Sequence, residues 1–189
     1  MNVNRIDSGM VLKLLKELDM ALGEQGERRE ITIFGSGAMM AQGFLRANRH
    51  TEDVDLASPD MDMVFQTIAA DVGEKFGLRM GWLNSAGVIF SRNFPSGWEK
   101  RSTLVFEGKS LKVSSLGRKD LIATKFNALC GRNKAQDMDD LLDLKPSKAE
   151  ITFARKWVLA QKEPSADFRD RVEKIEGKVF EKLGHGRSK

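Results

Sequence analysis

Two short segments of this 189-residue chain hold residue types that could do chemistry. In Thr51-Glu52-Asp53-Val54-Asp55-Leu56, acids alternate with apolar residues. In a strand, residues i and i+2 share a face, so Asp53 and Asp55 stand side by side with Val54 and Leu56 turned the other way. Neighbouring carboxylates repel and Asp is a poor strand former, so the pattern needs a cause. A divalent cation is one. Mg²⁺ takes one or two carboxylates and completes its shell with water and substrate phosphates. An edge strand with a solvated polar face is the other. The second segment, Phe34-Gly35-Ser36-Gly37-Ala38, reads as a strand feeding a glycine turn that opens a helix. Glycines let the backbone come close to a ligand, and N–H groups at a helix start favour phosphate. A compact strand-to-helix turn with nothing bound accounts for the same residues.

Gly35-Ser36-Gly37 also supplies the first two glycines of a dinucleotide fingerprint, with an acid some 20 residues on. Met40 stands where the third small residue belongs, and no βαβ series follows. That reading is set aside.

The elements around these segments follow from periodicity. Val11, Leu14, Leu15, Leu18 and Leu22 recur at helical spacing, which predicts an amphipathic helix over about 8–23. Ile31 to Phe34 reads as a short strand, Ala38 to Ala47 as a helix, and Thr51 to Ala57 as a strand. Ser58-Pro59 reads as a helix start, with Met61, Val64, Phe65, Ile68 and Val72 continuing to a stop at Gly77. Val88-Ile89-Phe90, Thr103 to Glu107 and Leu111 to Val113 are predicted strands, the last two joined by a turn at Gly108-Lys109. From Lys119 onward about four helices are expected. Ser147 to Glu150 has capping-box spacing, and Phe168, Val172, Ile175, Val179 and Leu183 form a final stripe. The result is a small mixed sheet flanked by helices, with a helical C-terminal part.

Hydrophobic residues make up 41% and charged residues 31%, enough for a core and against wholesale disorder. No apolar run reaches the ~18 residues of a membrane span. The opening residues carry an acid and lack a small-residue cleavage site, so no signal peptide is expected. One cysteine, Cys130, excludes an internal disulfide framework and reads as a core residue; two histidines, His50 and His185, are too few for a zinc enzyme. A cytoplasmic location without membrane association is expected. The charge of +4 and pI near 9.2 permit a phosphate-rich partner without requiring one.

The combination of Gly35-Ser36, a helix, and Asp53-Val54-Asp55 resembles the nucleotidyltransferase superfamily, the group that includes DNA polymerase beta. Asp120 to Lys125, then Arg132, Lys134, Asp137 and Asp140-Leu141, is similar to the AbiEii-type branch, which includes toxin halves of toxin–antitoxin pairs. Phe94 to Arg101 looks like a segment of uncharacterised relatives of that branch. The resemblance, over about residues 30–160, implies an α/β nucleotidyltransferase-like core at 1–145. A helical extension at 146–189 is expected to pack on it as one unit. It implies transfer of a nucleoside monophosphate from a nucleotide triphosphate to a hydroxyl acceptor. Mg²⁺ or Mn²⁺ would sit on Asp53 and Asp55, with triphosphate on Gly35 and Ser36. Lys125 would steady phosphate charge, and Asp137 would act as base or orient Lys125. RNA, tRNA included, is the expected acceptor and an antitoxin protein the expected partner. An antibiotic-type transferase and a non-catalytic module keeping the fold are the alternatives. A third metal-binding acid, which many such enzymes have, is offered nearby only by Glu99 or Glu107; otherwise Asp137 substitutes for it or the chain is a weak or lapsed catalyst.

Helical geometry tests the downstream residues independently. At about 100° per residue, Leu121, Ile122, Phe126 and Leu129 span an arc that contains Lys125. Met138, Leu141, Leu142 and Leu144 define an arc containing Asp137, with Asp139, Asp140 and Asp143 outside it. An inward lysine is costly unless it is paired or reaches a ligand. Alternatively, Lys125 snorkels and Asp137 pairs with Arg132 or Lys134.

Overall fold

The computed structural model describes residues 4–161 and 165–184. The first three residues of the opening segment and His185 lie outside this range. The described chain forms two compact units. One takes the residues up to Arg92 together with Trp98–Gly117; the other takes Asn93–Gly97 and the residues from Arg118 onward.

The first unit is built on a five-stranded mixed sheet. Its elements are α1 (Ser8–Glu24), β1 (Arg29–Phe34), α2 (Gly35–Ala41), β2 (Val54–Ser58) and α3 (Met63–Lys75). They continue with β3 (Leu83–Asn84), α4 (Val88–Ser91), α5 (Trp98–Arg101), β4 (Thr103–Glu107) and β5 (Leu111–Ser115). The strand order is β3-β2-β1-β5-β4. β1 runs antiparallel to β2 and parallel to β5, and β4–β5 is the expected hairpin. The core comes from the alternating inward residues Ile31, Ile33, Val54, Leu56, Leu111 and Val113, closed by the apolar stripe of α1.

α1 also carries a polar anchor. Asp19 accepts backbone N–H bonds from Ser110 and Leu111 at 2.7 Å each and from Lys109 at 3.3 Å, tying the β4–β5 turn to the helix. Asp19→Ala is expected to lower unfolding stability by about 2 kcal/mol, because bonds to a charged acceptor are lost together. Asp19→Asn, which keeps one acceptor oxygen, should lose less. Urea midpoints of the two variants check both statements.

The second unit holds α6 (Arg118–Arg132), α7 (Ala135–Asp143), α8 (Lys148–Ala160) and α9 (Ala166–Lys182). α6 packs on α7 and α8, and α9 packs on all three. Ser147 and Glu150 close the expected capping box, and Val172, Ile175 and Val179 are the buried part of the last stripe.

Three expected elements differ. Ser58 does not cap a helix: it pairs with Thr32 in the sheet, and α3 starts later, capped by Asp62, whose carboxylate accepts from Phe65 N–H at 2.8 Å. Val88-Ile89-Phe90 is the short helix α4, with Ile89 and Phe90 exposed. Three apolar residues in a row fit either geometry. α2 ends at Ala41, where Gln42 turns its amide onto Ser115 Oγ at 2.7 Å and the Leu116 carbonyl at 2.9 Å.

Candidate functional site

Strand pairing brings the two chemical segments of the sequence together. Asp55 stands across from Phe34, the last residue of β1, so the register places an acid beside the turn that follows Phe34. Gly35 has φ +70°, a backbone conformation that an L side chain strains to adopt. A Cβ there would stand 3.3 Å from Asp55 Oδ2. The missing side chain is therefore what leaves room between the turn and the carboxylate. Gly37 serves packing instead: a Cβ on it would come within 2.9 Å of Val54 Cγ2 and 3.2 Å of Val54 Cα, so α2 can lie directly on β2.

Val54 and Leu56 are buried while Asp53 and Asp55 are half-buried, the alternation expected of the segment. β2 itself starts at Val54, so Asp53 is its entry residue. Asp53 Oδ2 accepts from Arg79 Nη2 at 2.6 Å and Oδ1 from Thr51 Oγ1 at 3.4 Å. Arg79 also lies 3.7 Å from Glu52. Part of the expected carboxylate repulsion is thus already offset by a guanidinium.

Ser36 Oγ accepts from Arg49 Nη2 at 3.1 Å, and Arg49 is only 7% exposed. His50 beside it is exposed. No periodicity marks a single inward residue in a loop, so neither Arg49 nor Arg79 carries a signal that pattern reading can find.

The donor set at β2 suits a hard cation. It offers two half-buried carboxylates, Asp55 on the strand and Asp53 at its entry, with a bare glycine backbone alongside, which fits an ion whose shell is completed by water and phosphate oxygens. Among the described residues no group of three or more His, Cys, Asp and Glu is placed to hold a metal. Glu107 does not join the pair. It is exposed and faces Lys112, which pairs with Glu30 near the start of β1, whereas Asp55 pairs at its end. That offset is roughly 13 Å along the strand. Glu99 is exposed on α5.

Replacing Gly35 by alanine adds a methyl at this crowded spot and imposes the left-handed strain. The expected cost is about 1–2 kcal/mol of stability, with nucleotide affinity reduced as well. Thermal unfolding and calorimetry on the same preparation separate the two effects.

In the second unit, Lys125 and Asp137 are buried, at 6% and 2% exposure, as the helical arcs predict. Lys125 Nζ donates to Asp140 Oδ2 at 2.7 Å and lies 3.7 Å from Asp137 Oδ1. Arg132 grips Asp137 with two bonds, at 2.6 and 2.7 Å. Asp140 corrects the sequence reading: it is fully buried rather than outside the arc. The inward stripe of α7 is Asp137, Asp140 and Leu141, continued by Leu144 at its C-cap, while Met138 and Leu142 are half-buried. The Lys125 ammonium on α6 lets Asp137 and Asp140 share the buried face with Leu141 and Leu144. Cys130 is buried on α6, and burial pushes its thiol up to about 12, the behaviour of an inert core residue.

No helix among the described residues is long and apolar enough to cross a membrane. Comparisons with curated proteins and with solved structures find no match. Residues 10–149 match a family described as "Nucleotidyltransferase of unknown function (DUF6036)". The match takes in both the glycine turn with its acidic strand and the ion quartet of α6 and α7. The chain therefore belongs to this nucleotidyltransferase family.

Proposed function

We propose that the protein transfers a nucleoside monophosphate from a nucleotide triphosphate to a hydroxyl of an RNA acceptor, with Mg²⁺ or Mn²⁺ as cofactor. The acceptor oxygen bonds to the α-phosphorus, the bond from that phosphorus to the bridging oxygen breaks, and pyrophosphate leaves. The observation that supports this most is the register pairing Asp55 with Phe34 beside the bare backbone of Gly35. Asp53 and Asp55 would hold the cation, and Gly35 and Ser36 the triphosphate. A bound Mg²⁺ supplies charge neutralisation on the phosphates and a template for in-line displacement. The chain's own residues position: Arg79 donates to Asp53 Oδ2 and holds that carboxylate in one orientation.

The roles expected of Lys125, in steadying phosphate charge, and of Asp137, as base on the acceptor hydroxyl, stand as proposals with their own test in the Discussion. The AbiEii-like run from Asp120 to Leu141 adds a finer reading, a toxin whose partner is an antitoxin protein.

Labelled nucleotide triphosphates incubated with Mg²⁺ and total RNA test the acceptor. Label is expected in RNA, and association with RNA should weaken as salt rises, because neutralised phosphates release counterions. Label confined to a small molecule would instead make this an antibiotic-type transferase. No label anywhere, with no nucleotide bound, would leave a module that keeps the fold without the chemistry.

A further inference from the structure

Arg49 sits in the stretch between α2 and β2, where Arg46, Ala47, Asn48 and His50 all face solvent. It alone of these turns inward, to 7% exposure, and its Nη2 donates to Ser36 Oγ at 3.1 Å. The backbone around it is held. Arg49 N–H bonds to the Arg46 carbonyl at 3.0 Å, and Thr51 exchanges two bonds with Ile6, at 2.8 and 2.9 Å. A guanidinium cannot shed its proton to relieve burial, so desolvating it is costly. Leu45 is the other buried residue of this stretch, with Gln42, Phe44, Thr51 and Asp53 half-buried. What the burial of Arg49 achieves is contact with the serine of the glycine turn. A serine hydroxyl rotates among staggered positions unless a partner fixes it, and a planar guanidinium fork fixes it in one.

We propose that Arg49 is a positioning residue of the nucleotide site: it locks the Ser36 hydroxyl in one orientation and brings a permanent positive charge to the turn that receives the triphosphate. This rests on the reading above that Gly35 and Ser36 hold the triphosphate. The ligand class it implies is a polyanion bound through Ser36, not a neutral group.

The test is a mutant cycle. Arg49→Lys keeps the charge but loses the fork, Ser36→Ala removes the acceptor of the fork, and the third variant combines them. Calorimetry uses Mg²⁺ with non-hydrolysable triphosphate analogues of the four ribonucleosides. Each single variant is expected to lose roughly tenfold in affinity, the weight of about one hydrogen bond. The double variant should be no more than about twofold weaker than Ser36→Ala, because residues acting through one another are not additive. A merely structural arginine would not produce that coupling. Full affinity in folded Arg49→Lys, or losses that multiply in the double variant, would overturn the positioning role while leaving the nucleotide reading intact. Absence of binding by the unaltered protein would overturn both. Should Arg49→Lys not fold, Ser36→Ala removes no core contact and decides alone: unchanged affinity there also overturns the proposal.

Discussion

Replacing Lys125 by methionine is expected to lower stability by about 3–5 kcal/mol, because it leaves buried Asp140 facing a thioether instead of an ammonium. Methionine has a similar stem, so packing alone predicts no loss. The expected loss comes from Asp140, fully buried with Lys125 Nζ 2.7 Å away. Asp137 is less affected, since its bidentate grip by Arg132 remains. Removing both charges, as Lys125→Met with Asp140→Leu, should recover most of the stability, since an apolar pair of similar volume commonly replaces a buried ion pair without loss. Urea unfolding of the three proteins checks this, and a single variant as stable as the unaltered chain would contradict it. The stable double variant then tests the phosphate role of Lys125. Affinity reduced on the order of tenfold to a hundredfold would support it, as one charge-assisted bond is worth about 1.5–3 kcal/mol. Unchanged affinity would make the lysine a clamp between α6 and α7.

Much of this architecture is legible in the sequence wherever one residue type repeats at a fixed period. α1 and α9 follow their stripes, and the β4–β5 hairpin follows its glycine turn. The acidic strand was legible for the same reason, since alternation of Asp with Val and Leu has one periodicity to obey. What escaped were partnerships between distant segments. Asp140 looks like one of several surface acids on α7 until the Lys125 ammonium is placed against it. Arg49 and Arg79 sit in irregular stretches, and their partners Ser36 and Asp53 are 13 and 26 residues away. Asp19 lies on the polar side of a clear amphipathic helix, yet it holds a turn 90 residues on. The pairing of Asp55 with Phe34 is of the same kind: it needs the strand register, which neither segment encodes alone.

Asp53 and Asp55 are the residues proposed to hold a divalent cation together with a nucleotide triphosphate. Calorimetry of the Asp53→Ala, Asp55→Ala double variant with Mg²⁺ and a triphosphate tests it most directly. The variant should fold. Among the contacts it loses, the Arg79–Asp53 pair is partly exposed and worth about 0–1 kcal/mol, and one source of like-charge repulsion disappears with it. Because the proposed site would keep no carboxylate for the cation, affinity for the Mg²⁺–nucleotide complex is expected to fall by at least about a hundredfold, the equivalent of about 2.7 kcal/mol. A folded double variant that binds the complex as tightly as the unaltered protein would contradict the account, and would remove the acidic strand from the nucleotide site.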